Sequence, residues 1–89
     1  MKAIVTVIGK DQVGIIATVC NALSEQQVNV LDISQTVLQD YFVMIMLADL
    51  SACSLSFARL ADQLQEMGEG QGLDIRIQRE DIFNAMHRI

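Results

Sequence analysis

The chain has 89 residues, of which 52% are hydrophobic, with two cysteines and no proline. This length makes one domain with a single modest core. The formal net charge is −5, and the six basic residues are scattered along the sequence. Because phosphate backbones bind to clustered lysine and arginine, we expect neither a nucleic acid nor an anionic membrane as a partner.

The N-terminal segment and the cysteines indicate the compartment. The apolar run at the start is short and has no small-residue cleavage site after it, so we interpret it as a first strand and not as a signal peptide. No apolar run of the sequence is long enough to span a bilayer. Cys20 and Cys53 fit neither a disulfide framework nor a metal motif. These features predict a cytoplasmic protein.

The first quarter of the chain predicts a strand, a tight turn and a helix. Residues 2–8 are rich in β-branched side chains and alternate between two faces, as a strand does. Asp11 and Gly14 mark the turn, and a helix follows over about residues 13–27. Asp11 is placed to cap this helix, a role that we weigh against contact with a ligand. The expected buried stripe of the helix is Ile16, Val19, Cys20 and Leu23.

The middle of the chain predicts two paired strands. Residues 28–39 alternate between polar and apolar side chains, and Gln39 and Asp40 make a short hairpin connection. Residues 41–50 are apolar on both faces. A strand of this kind must be covered on both sides, so we place it in the centre of the sheet.

The last part of the chain predicts a second helix, a fourth strand and a short terminal helix. Ser51 or Ser54 caps the second helix. Its inner stripe is Phe57, Leu60, Ala61, Leu64 and Met67, and the glycines expected to end it in a loose turn are Gly68, Gly70 and Gly72. Residues 73–78 alternate as a strand, and residues 80–89 form an amphipathic helix with Ile82, Phe83, Met86 and Ile89 on one side.

This element order predicts a ferredoxin-like βαββαβ sandwich. Right-handed crossovers give a four-stranded antiparallel sheet with both main helices on one face, plus the short C-terminal helix. The other face would then be left apolar and uncovered. Either the terminal helix or a second copy of the chain should cover it.

Several functions use such a frame, and each requires particular residues. An RNA reader needs aromatic side chains on the two central strands, but the first strand has none. A copper chaperone of this shape needs two cysteines in the first turn, and an acylphosphatase needs an arginine there. That turn has neither, and Lys10 is its only cation. No acid–base pair, nucleophile or metal cluster emerges, so we expect no enzyme, no metal and no cofactor.

Three segments of the sequence resemble a known family. They are the strand VTVIGKD at residues 5–11, the turn Asp11-Gln12-Val13-Gly14 that opens the helix, and Val28-Asn29-Val30 at the start of the second strand. Together they are similar to an ACT domain, a small regulatory module that binds amino acids and similar metabolites. The ending EDIFNAMHRI resembles, more narrowly, the small stand-alone ACT proteins of bacteria and archaea. The resemblance implies an ACT domain over residues 1–79 and a helix over residues 80–89, packed on the same domain or on a dimer partner.

The resemblance also implies where a ligand would lie. ACT domains pair side by side through the first helix and second strand, and the ligand sits where one chain's first turn meets the partner's second strand. The ligand-binding residues implied here are Asp11, Gln12, Val13, Gly14 and Asn29. Backbone N–H groups at the turn would face a carboxylate at the helix N-terminus. Asn29 carries both a donor and an acceptor, with which it would bind an amino or side-chain group.

We therefore expect a non-catalytic regulatory module, a homodimer that senses a small metabolite, an amino acid, and acts on a partner protein. The alternative is a protein–protein interaction module without a small-molecule ligand. In that case the doubly apolar sheet and the terminal helix would dock a polypeptide.

Overall fold

The computed structural model describes residues 1–82. Its elements are β1 (Lys2–Lys10), α1 (Ile15–Glu25), β2 (Asn29–Leu38), β3 (Tyr41–Asp49), α2 (Phe57–Gln71) and β4 (Leu73–Arg79). All strand pairs are antiparallel, and the strand order across the sheet is β2-β3-β1-β4. The ferredoxin-like βαββαβ prediction is confirmed. A helical turn begins again at residues 80–82, and the rest of the predicted terminal helix lies outside the described residues.

The core lies between the sheet and the two helices, and alternation along the central strands builds it. Alternate residues are buried on the helix side of the sheet, from Ala3 to Val7 in β1 and from Phe42 to Ala48 in β3. The buried stripes of the two helices belong to the same cluster. The alternation of the strands and the helical spacing of apolar residues therefore both point into one core. The fully buried members are Ala3, Val5, Val7, Val19, Leu23, Met44, Met46, Ala48 and Leu60.

The third strand is central, as its two-sided hydrophobicity predicts. On the helix side its residues are buried, whereas on the opposite side Val43 and Leu47 are half-buried and Ile45 is 44% exposed. We call this opposite side, which faces away from α1 and α2, the open face. Its composition explains why the sequence of β3 is apolar at nearly every position.

The first helix differs from the prediction at its start and on its buried side. It begins at Ile15, and Ile15 takes the core position that we expected for Ile16. Ile16 is 39% exposed instead. The helix ends as a Schellman motif, in which the Val28 N–H donates to the Leu23 carbonyl at 3.0 Å and Gln27 has a φ of 60°. The apolar spacing predicted the presence of the helix, but it did not show which of the two adjacent isoleucines is buried.

The second helix is capped by neither predicted serine. Ser56 is its N-cap, and its hydroxyl accepts a hydrogen bond from the Arg59 backbone N–H at 3.3 Å. Ser51 binds the end of β3 instead, because its hydroxyl donates to Asp49 Oδ1 at 2.6 Å and its backbone N–H donates to the same atom at 2.9 Å. These two bonds, the hydroxyl first, lower the pKa of Asp49.

The prediction that three glycines end the second helix in a loose turn is wrong for two of them. The helix runs to Gln71, so that Gly68 and Gly70 lie inside it and Gly72 is its C-cap. A Cβ on Gly68 would lie 2.7 Å from the carbonyl oxygen of Leu73, so this glycine lets α2 approach β4 closely. A Cβ on Gly70 would meet no atom within 4 Å.

Candidate functional site

The turn between β1 and α1 is held to the sheet by a backbone hydrogen bond, and the Asp11 side chain does not cap the helix. The Asp11 backbone N–H donates to the Asp40 carbonyl at 2.8 Å, which ties the turn to the β2–β3 hairpin. The N-cap of α1 is Gly14, and no side chain caps this end. The prediction of an Asp11 cap is therefore wrong, because the helix begins two residues later than the apolar spacing indicates.

Gly14 takes a backbone conformation that other residues rarely adopt. Its φ is +86°, in the left-handed region, and a Cβ added at this position would meet no atom within 4 Å. The first helical bond runs from the Thr18 N–H to the Gly14 carbonyl at 2.9 Å. The N–H groups of the first turn thus have no partner within the helix, and no acidic residue lies in that turn. This end of α1 presents free donors and the positive end of the helix dipole to an anion.

The two other residues of the turn have different surroundings. The Gln12 amide donates through Nε2 to the Gln71 carbonyl at 3.0 Å, so Gln12 braces the turn against the end of α2. Val13 is fully exposed at the tip. The space behind the turn, toward Leu73, amounts to only about 10 Å³. A ligand would therefore approach from the outer side, past Val13.

Asn29 lies at the opposite end of the sheet from the turn. It pairs with Asp49, and Asp49 pairs with Lys2, the first residue of β1. Eight residue steps along β1 separate that level from Lys10, a distance of about 27 Å at 3.4 Å per residue. One chain alone therefore does not bring Asn29 to Gly14.

The edge strand and the adjoining helix flank carry an exposed apolar strip. β2 forms one edge of the sheet. Of its ten residues, Val30 is half-buried and the other nine are exposed. On α1, Thr18 and Glu25 line gaps on the side of α2 and lie across the helix from Ile16, so Ile16 is on the other flank, toward β2. We call the set of exposed side chains here the β2 strip: Ile16, Leu31, Ile33 and Val37 are 39%, 44%, 40% and 52% exposed.

The resemblance implied that the second strand takes part in pairing, whereas Ile16 was assigned to the buried stripe of the first helix. A strand with unpaired backbone groups and apolar side chains is a site for pairing with another chain. Gly14 is the feature of the sequence that would have assigned Ile16 to the β2 strip instead of the core. A glycine directly before an apolar run can be the N-cap, and the helix then starts at Ile15.

Residues 1–82, which the structure describes, lack two kinds of feature. In that range no group of three or more histidine, cysteine or acidic side chains is placed to hold a metal ion. No helix of that range combines the length and apolarity needed to cross a bilayer.

Comparison with known proteins defines the class. A family model described as the ACT domain matches residues 2–78. The ACT domain protein from Streptococcus pneumoniae superposes with a TM-score of 0.84 at 41% identity, covering 98% of both chains. The chain therefore belongs to the ACT domain family, as its turn and second strand indicated.

Within that family, the chain is similar to small proteins of about the same length. A UPF0237 protein of the bacterium Clostridium acetobutylicum is 56% identical over 89 residues, which is 100% of each chain. A UPF0237 protein of the archaeon Methanopyrus kandleri is 49% identical over 88 residues, covering 99% of this chain and 98% of the relative. The narrower resemblance to small bacterial and archaeal ACT proteins is confirmed.

Proposed function

We propose that the protein is a non-catalytic regulatory module of the cytoplasm, a homodimer that binds an amino acid between its subunits. The uncapped N-terminus of α1 at Gly14 carries this proposal. It offers backbone donors without a side-chain partner, at a glycine whose surroundings leave room for a ligand. A carboxylate is the group that such an end attracts, and every free amino acid has one.

The position of Asn29 supports a site made from two subunits. If two copies pair along β2 about a two-fold axis through the middle of the strand, the second β2 runs antiparallel to the first. Asn29 of the partner subunit then lies beside Leu38, which pairs with Tyr41 and so is level with Lys10. Lys10 is the last residue of β1 before the turn. The proposed dimer therefore brings Asn29 of the partner subunit to the end of the sheet that carries Gly14, whereas within one chain the two residues lie at opposite ends.

The β2 strip supports the same pairing. Association along β2 would bond the unpaired backbone groups of an edge strand and cover four half-exposed apolar side chains. The ligand would rest at the end of this interface, with its carboxylate on the α1 N-terminus and its amino group near Asn29. Output would pass to a regulated partner protein.

The test is thermal unfolding of the purified protein with a panel of amino acids, with the molar mass measured in parallel. A ligand at 100 times its dissociation constant contributes about 2.7 kcal/mol, which raises the midpoint measurably. We expect one amino acid to raise the midpoint of the wild-type dimer. Asn29→Ala should abolish the rise.

A pair of variants at Gly14 separates charge from backbone strain. Gly14→Asn and Gly14→Asp have the same size, and both residues tolerate a positive φ better than other side chains. The added carboxylate of Gly14→Asp should repel the ligand far more than Gly14→Asn does. Equal midpoints across the whole panel in a dimeric wild-type protein would reject the sensor and favour the interaction module.

A further inference from the structure

A polar cleft lies beside the turn, at the end of the sheet where β1 leads into it. The residues that line the cleft are Lys10, Asp11, Gln39 and Asp40, and its volume is about 390 Å³. Clefts that bind small molecules have volumes of about 300–1,000 Å³, so this one is large enough for an amino acid. We call it the hairpin cleft, because Gln39 and Asp40 connect β2 to β3.

The hairpin cleft adjoins both halves of the proposed two-subunit site. Asp11, which lines the cleft, lies three residues before Gly14, so at most about 11 Å of chain separates it from the N-terminus of α1. Gln39, which also lines the cleft, directly follows Leu38. The proposed dimer places Asn29 of the partner subunit beside Leu38. A ligand held between the turn and that asparagine therefore has the hairpin cleft within reach of its side chain.

The charges around the hairpin cleft favour a cation. Two carboxylates and one ammonium group line it, which gives a net charge of −1. Both ion pairs of residues 1–82 lie in β4 and the segment directly after it, so neither Asp11 nor Asp40 is neutralised by one of them. Both residues are exposed, and their carboxylates can accept hydrogen bonds from a ligand. Hydrogen bonds from an ammonium or guanidinium group to a carboxylate are among the strongest in proteins.

Lys10 does not oppose a cationic side chain, because the ligand also carries an anion. Its ammonium group can approach the ligand's carboxylate, which the N-terminus of α1 attracts as well. The positive groups then face one end of the ligand, and the two aspartates are left for the other end. Lysine and arginine carry their charge at the end of a long side chain, which suits this separation.

We propose that the hairpin cleft selects an amino acid with a positively charged side chain. The ligand's carboxylate lies at the N-terminus of α1, and its side-chain ammonium or guanidinium group donates to Asp11 and Asp40. This inference rests on the proposed function. It adds to it the class of amino acid and the part that the β2–β3 connection takes in recognition.

Pairs of ligands that differ in charge test the selectivity by calorimetric titration of the wild-type protein. Norleucine has the carbon chain of lysine without the side-chain ammonium group, and citrulline has a neutral group in place of the guanidinium of arginine. We expect lysine or arginine to bind at least about tenfold more tightly than its neutral counterpart. Tighter binding of an aliphatic or acidic amino acid would overturn this inference and leave the amino-acid sensor standing. Binding of no amino acid would overturn both.

Asp40→Asn tests the cleft itself. It keeps the size of the side chain and the backbone carbonyl that accepts from the Asp11 N–H. Asp62→Asn is the matched control, because Asp62 is an exposed residue of α2 that does not line the cleft. We expect Asp40→Asn to weaken binding of the cationic amino acid about tenfold, and Asp11→Asn to do the same, whereas Asp62→Asn should leave the affinity unchanged.

The thermal midpoint without ligand shows whether each of these variants is folded. Equal losses of affinity in Asp40→Asn and Asp62→Asn would assign the effect to the net charge of the protein and overturn the inference. Full affinity in both Asp40→Asn and Asp11→Asn would overturn it as well.

Discussion

Ile33→Lys should weaken the proposed dimer about a hundredfold. Ile33 lies near the middle of β2, on the helix side opposite Met46, and is 40% exposed. Full burial of an isoleucine contributes about 1.5–3 kcal/mol, so covering the exposed part contributes about 1 kcal/mol in each subunit. A two-fold axis through the middle of β2 brings the two substituted lysines close together, which adds repulsion of about 1 kcal/mol. The total is about 3 kcal/mol, and 1.4 kcal/mol corresponds to a factor of ten.

The assay is sedimentation equilibrium over a wide range of protein concentration, with circular dichroism to confirm that the variant is folded. Gln65→Lys is the matched control, because Gln65 is an exposed residue of α2 beside β4, on the far side of the sheet from β2. It adds the same charge and should leave the dimer unchanged. An Ile33→Lys protein that dimerises as strongly as the Gln65→Lys protein would refute the pairing along β2.

Two further pairs of substitutions test the local structure by chemical denaturation. Gly70→Ala should stabilise the fold by up to about 1 kcal/mol, because alanine is the better helix former and the added Cβ meets no atom within 4 Å. Gly68→Ala should destabilise the fold instead, because the added methyl group would lie 2.7 Å from the carbonyl oxygen of Leu73. If both substitutions stabilised the fold, the close approach of α2 to β4 would be contradicted. Ser56→Ala should lower the free energy of unfolding by about 1 kcal/mol, because the cap of α2 is lost. The Asp11 side chain caps no helix, so Asp11→Ala should change the free energy of unfolding by less than about 0.5 kcal/mol. An equal loss in both variants would restore Asp11 as a cap.

The fold was predictable because periodicity and burial agree along the whole sheet. β3 is apolar at odd and even positions, and the structure places it between two other strands, with its even-numbered side chains in the core and Val43, Ile45 and Leu47 on the open face. β2 alternates and is an edge. The order of the elements with right-handed crossovers then leaves few arrangements of the chain, and the ferredoxin-like one was found.

The candidate site was less predictable, because its geometry depends on backbone dihedral angles that residue type does not fix. Asp11 and Gly14 are both acceptable N-caps, and apolar spacing allows a helix start at either Val13 or Ile15. In the structure Gly14 takes a φ of +86° and the helix starts at Ile15, while a bond from the Asp11 N–H to the Asp40 carbonyl holds the turn on the hairpin. This contact joins residues that are far apart in the sequence, so local patterns do not contain it.

The separation of Gly14 and Asn29 has a consequence for regulation. If the amino acid contacts the turn of one subunit and Asn29 of the other, it binds the dimer more tightly than the monomer. By linkage, each such ligand then strengthens dimerisation by the same factor by which dimerisation strengthens ligand binding. The two-fold axis of the proposed dimer generates two equivalent sites, so two bound ligands each contribute this factor to the dimerisation constant. A chain with this arrangement would report the concentration of an amino acid through its degree of dimerisation, which a partner protein that recognises only the dimer would detect.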